Sequence, residues 1–130
     1  DYCLLDIKYT SEKQYLEYVG CEMKKPMQFL EQLNRRGIPT RIRQVLIRGL
    51  NDSEESIRAL ARLVAPFSCV EETELLPFRT LCLEKYEQMN LTFRLADTKD
   101  TTMQEVAEAK EIFNREMNRL VGTASDSAAV

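Results

Sequence analysis

The chain has 130 residues, of which 44% are hydrophobic and 30% charged. These totals suit one ordinary soluble domain and leave no room for two. A net charge of −3 argues against nucleic-acid and anionic-membrane partners, which call for a basic surface. No apolar run approaches the roughly 20 residues needed to span a bilayer. The first residues carry Asp1 and Asp6 and no basic lead, so no signal peptide is expected.

There is no histidine, which removes the commonest general base and zinc ligand. Cysteines fall at 3, 21, 69 and 82, a spacing with no CxxC or CxxxCxxC cluster. Core or partly buried thiols in a reducing cytoplasm are the simplest reading.

Residues 3–7 are an apolar run that predicts a first strand, buried on both faces. Asp6 and Lys8 end it, two apart and so on one face. They lie at the carboxyl end, where parallel α/β folds hold ligands. The pair is either a structural ion pair or a site where Lys8 holds a ligand carboxylate or phosphate. Thr10 or Ser11 can cap a short helix to about Val19, with Gly20 as its stop. Pro26 suits the first turn of a second helix, and Met27, Leu30, Leu33 and Asn34 recur at helical steps. Gly37 follows as its stop.

The second strand is predicted over residues 40–47. One face carries Thr40, Ile42, Gln44 and Leu46, and the other Arg41, Arg43, Val45 and Ile47. Arg43 on a central strand requires an anionic partner, either Glu74 on the next strand or a ligand that also touches Lys8. Arg41, near the strand start, is expected to be solvated. The acid-rich run from Asn51 to Glu55 opens a helix that ends before Pro66. Residues 70–76 form the third strand, ended by Pro77, and Arg79 is expected over the same edge as Lys8. A short helix near 83–89 and an extended piece at 91–93 are less regular. Thr102 to Glu105 has the form of a capping box, opening a helix to about Leu120. The small polar residues at 121–130 read as a flexible tail.

Strands separated by helices imply parallel pairing with right-handed crossovers. Three strands make a narrow sheet whose faces both need cover and whose edges are both exposed. No GxGxxG, GxxxxGK, GxSxG or HExxH motif is present.

Five stretches carry a resemblance. Residues 1–8 resemble a D-x-x-x-x-D-[LI]-K strand, and Tyr18 to Gly20 the x-x-x-G after its helix. Residues 42–52 resemble I-R-x-x-[VL]-[IV]-P-G-x-N-D. Glu74 to Phe78 with Lys85 and Tyr86 resemble E-L-L-P-Y-H…K-Y. The helix from Met103 resembles a final x-x-E-x-x-x-A-K-E-I helix. In this order they resemble the C-terminal half of the glycyl-radical-enzyme activating enzymes, radical S-adenosylmethionine proteins, and most of all those acting on pyruvate formate-lyase.

The resemblance implies an α/β fold in which residues 1–120 are the C-terminal part of a partial (β/α)6 barrel. It implies S-adenosylmethionine and a [4Fe–4S] cluster in the full-length parent, with neither expected on this stretch alone, and a glycyl-radical enzyme as partner. Asp6, Lys8 and Arg43 match positions at the methionyl end of S-adenosylmethionine, and Arg79 stands where the family often has a histidine beside the nucleotide. Arg48 stands where a proline is usual. The family's CxxxCxxC motif is not among these residues, so no metal ligand or catalytic residue is assigned here. The alternative is a free-standing, non-catalytic α/β module that binds an anionic metabolite or a protein, with edge-to-edge self-association possible.

Overall fold

A computed structural model describes residues 2–79 and 100–129, with side chains as far as residue 121. The elements alternate as expected: β1 (Cys3–Asp6), α1 (Glu12–Gln14) running into a π-helical turn (Tyr15–Val19), α2 (Lys24–Arg35), β2 (Thr40–Leu46), α3 (Glu54–Val64), β3 (Val70–Pro77) and α4 (Met103–Ala129). The strands form one parallel sheet in the order β1-β2-β3. The stretches expected as a short helix near 83–89 and an extended piece at 91–93, with Lys85 and Tyr86, lie outside the described residues.

Local chemistry sets the boundaries. The Ser11 hydroxyl accepts from the Gln14 amide at 3.4 Å, and Gly20, at φ 84°, ends the π turn. α2 stops in a Schellman motif: Gly37 N–H bonds Asn34 C=O at 3.1 Å and Ile38 N–H bonds Leu33 C=O at 3.0 Å. Gly37 takes φ 66°, which a side chain would disfavour. Ser53 caps α3, whose first turn holds Glu54 and Glu55. Thr102 and Glu105 close the capping box: Glu105 N–H reaches Thr102 Oγ1 at 3.1 Å, and Thr102 N–H reaches Glu105 Oε1 at 3.4 Å. α4 runs beyond the expected stop near Leu120, to Ala129. Ala124, Ala128 and Ala129 are strong helix formers, and nothing between them forces a break.

The core lies on one side of the sheet. Ile7, Ile42, Leu46 and Leu75 meet Leu30 and Leu33 of α2, Ile57, Leu60 and Val64 of α3, and Val106, Ala109 and Phe113 of α4. Each fully buried aliphatic side chain here contributes about 1.5–3 kcal/mol relative to exposure. A smaller cluster of Tyr9, Tyr15, Ile47 and Phe78 closes the carboxyl end of the sheet.

The opposite face is open, which corrects two expectations. β1 is an edge strand buried on one side only: Cys3 and Leu5 pack on the core, but Leu4 is 53% exposed. Helices among the described residues cover the sheet on one face rather than both. Among the described residues the open face carries Leu4 and Asp6, then Arg41, Arg43 and Val45, then Glu72, Glu74 and Leu76. The register sets Arg41 beside Leu4 and Glu72, and Arg43 beside Asp6 and Glu74. No helix of the described residues is long and apolar enough to cross a membrane. Cys3, Cys21 and Cys69 are free thiols.

Candidate functional site

The candidate site lies at the carboxyl end of the open face. Asp6 ends β1 and is level with Arg43. The Arg43 Nε stands 3.8 Å from Asp6 Oδ1, an ion pair beyond hydrogen-bond length. Although that nitrogen is buried, it finds no hydrogen-bond partner among the described residues. A buried donor left so costs on the order of 1–3 kcal/mol. Lys8 is exposed one step further along the same face. Asp6 is thus paired with Arg43 alone, and that guanidinium has a donor to spare. A guanidinium fork with a free donor suits a planar anion such as a carboxylate.

Of the two partners the sequence left open for Arg43, Glu74 is not engaged by it. Glu74 lies 4.0 Å from Arg41, whose guanidinium also holds Glu72 at 3.0 Å. Arg41 is thus paired through its terminal nitrogens, although its buried Nε is as unpartnered as that of Arg43, and it is less solvated than expected, with 39% of its side chain exposed. Arg43, at 40%, is only half-buried, because the face above it is open. The strict need for a neutralising protein partner, argued from a strand covered on both sides, does not arise.

Arg79 follows the end of β3 and is exposed. Its guanidinium donates to Met103 Sδ at 3.8 Å, at the start of α4, so it turns toward that helix. The structure pairs Asp6 with Arg43 and leaves Lys8 exposed just past the end of β1, while Arg79 reaches Met103 instead.

Sequence reasoning passed over the residues that build the edge. Asn51, 2% exposed, accepts from Ile47 N–H at 2.7 Å and donates to Val45 C=O at 2.9 Å and Lys8 C=O at 3.3 Å. It clips the ends of β1 and β2 together. Gln44, also buried, donates to Ile7 C=O at 3.0 Å. The Tyr15 hydroxyl accepts from Lys8 N–H at 3.0 Å. Burial pushes the Tyr15 phenol up, partly offset by that hydrogen bond. Burial, together with Tyr18 and Tyr15, raises Tyr9 to about 12. Both stay neutral phenols at ordinary pH. A polar residue on the core-facing side of a strand, as Gln44 is, was the one available signal that such a network exists.

Arg48 is held differently from its neighbours. Its Nε donates to both carboxylate oxygens of Glu105, at 3.0 and 2.8 Å, and a second nitrogen of its fork reaches the same group. The hydrogen bond from Arg48 draws the Glu105 carboxyl down to about 2. Thr101, fully buried, donates its hydroxyl to Leu46 C=O and its amide to Phe78 C=O at 3.1 Å. Together they fasten the start of α4 beside the site.

No protein-family model matches the chain. Over 97 residues it is 38% identical to the pyruvate formate-lyase-activating enzyme of Clostridium pasteurianum, a match covering 75% of this chain and 41% of that one. Against the enzyme of the same name from Streptococcus mutans, identity is 30% over 116 residues, covering 89% and 44%. The chain thus spans less than half the length of these curated relatives. The crystal structure of a domain of the pyruvate-formate lyase-activating enzyme from Bacteroides vulgatus has the same fold. It superposes with a TM-score of 0.69 at 16% identity, covering 88% of this chain and 62% of that chain.

Proposed function

We propose, for a chain that belongs to the family of the pyruvate formate-lyase-activating enzymes, that it forms the C-terminal part of a partial (β/α)6 barrel in a longer radical S-adenosylmethionine activase. The open face of the sheet is then the inner wall of that barrel. Lys8 and Arg43 grip the carboxylate of S-adenosylmethionine, and Asp6 orients Arg43 and faces the ligand's positive end. Arg79, just past the end of β3, borders the nucleotide end.

The observation that carries this reading is the buried, unpartnered Nε of Arg43 beside Asp6. A carboxylate laid on the open face would satisfy it. The residues present do not suit an iron–sulfur cluster: the chain has no CxxxCxxC, and the described residues hold no group of three metal-ligating side chains. The cluster ligands belong to the part of the relatives that this chain does not match. When bound, the cluster and S-adenosylmethionine supply one-electron chemistry that removes hydrogen from a backbone glycine of a glycyl-radical enzyme. This chain's residues bind, orient and wall off that reaction from water.

The test is calorimetric titration of S-adenosylmethionine into the full-length enzyme carrying this segment. Arg43→Ala is expected to weaken binding by about 2–3 kcal/mol, the loss of one charge-assisted contact. Unchanged affinity would return Arg43 to a purely structural role beside Asp6.

A further inference from the structure

Lys8 lies beyond the hydrogen-bonded end of β1, yet its backbone is fixed on every side. Ile7 N–H bonds Arg43 C=O at 3.0 Å. Ile7 C=O takes the Gln44 amide. Lys8 N–H goes to the Tyr15 hydroxyl, and Lys8 C=O to Asn51. Three buried side chains, from the π turn, from β2 and from the loop after β2, thus replace the ladder where it has run out. A lysine at a strand end is ordinarily free to swing, because a four-carbon stem on frayed backbone has no fixed origin.

The second half of the arrangement concerns Arg43. Asn51 also holds Val45 C=O, two residues on from Arg43 along β2. One side-chain amide therefore bonds the backbone of both cation-bearing strands. The distance between the origins of Lys8 and Arg43 is set by Asn51, and the direction of the Lys8 backbone by Tyr15 and Gln44.

We propose that Tyr15, Gln44 and Asn51 are positioning residues that hold Lys8 at a fixed separation from Arg43, so that both cations close on one ligand carboxylate. The inference rests on the carboxylate-site reading above. Pre-set geometry of this kind raises affinity by removing the ordering cost from the binding step.

Four versions of the full-length enzyme test it by calorimetry with S-adenosylmethionine: unaltered, Lys8→Ala, Tyr15→Phe, and both together. Tyr15→Phe keeps the ring and removes only the hydroxyl. It is expected to weaken binding roughly three- to tenfold in the unaltered background and to have no effect once the Lys8 side chain is gone. Equal effects in both backgrounds would mean that Tyr15 serves the fold alone, and would overturn the proposal. If Lys8→Ala itself leaves affinity unchanged, the carboxylate-site reading falls and this inference falls with it. Gln44→Met, which removes the donor to Ile7 C=O at similar volume, repeats the cycle should Tyr15→Phe fail to fold.

Discussion

Asp6 and Arg43 are level neighbours on adjacent parallel strands, and their nearest charged atoms stand 3.8 Å apart, just too far to share a proton. Both side chains face solvent over roughly half their surface, so the attraction is screened. Asp6→Asn is expected to cost under about 1 kcal/mol of folding stability in urea denaturation. If Asp6 orients Arg43 for a ligand, the same variant lowers S-adenosylmethionine affinity by more than this. An equal drop in both would make the pair a stability feature only.

Asn51 presents the opposite balance. It is buried and makes three backbone hydrogen bonds. Asn51→Ala strands the Ile47 amide and the Val45 and Lys8 carbonyls, and is expected to destabilise by roughly 3 kcal/mol. A denaturation midpoint close to the unaltered protein would show that water replaces the amide at no cost.

The ion pair between Arg48 and Glu105 makes stability depend on acid. The Glu105 carboxyl is held at about 2, below its ordinary value of 4.5. A depressed carboxylate stabilises the fold above its unfolded value and loses that contribution as pH falls toward the folded one. Stability from this pair is therefore complete at neutral pH and declines between about pH 4.5 and 2. Glu105→Gln should flatten that part of the acid limb, as followed by denaturation at stepped pH. Matching acid profiles for the two proteins would mean that the pair is replaced by hydration.

Leu60 is wholly buried at the centre of the helix layer. Leu60→Ala should cost about 2–5 kcal/mol, by lost transfer energy and residual cavity. Thermal unfolding measures it, and a shift within error would place Leu60 at a site able to collapse.

Much of the frame was legible in the sequence, because its boundaries rest on local chemistry. Gly20, Gly37, Ser11, Pro66 and the Thr102–Glu105 box act within a few residues of themselves, and the structure uses them as read. The alternation of β2 separated Thr40, Ile42, Gln44 and Leu46 from Arg41, Arg43 and Val45 correctly, but Ile47, read onto the second face, lies past the strand end and is buried in the smaller cluster. Misreadings arose where an outcome depends on distant chain. Leu4 is apolar and exposed because nothing described lies over its face, which periodicity does not reveal. Glu74 stands level with Arg43 in the register, yet its carboxylate lies diagonally nearer to Arg41, a side-chain choice that alternation does not specify. Asn51 read as part of a helix start, while its amide reaches a carbonyl 43 residues away. The candidate residues Asp6, Lys8 and Arg43 were picked out by the charge pattern of two adjacent strands. The groups that hold them were not, because buried hydrogen-bond partners leave no period in a sequence.

One consequence concerns how freely such a surface can change. The apolar core lies entirely behind the sheet, and the charged lattice in front of it adds little to folding. Side chains on the front can therefore be exchanged almost one at a time with the scaffold intact. A fold divided in this way separates what must be kept from what can be rewritten, and the rewriteable side is the one proposed to meet the ligand.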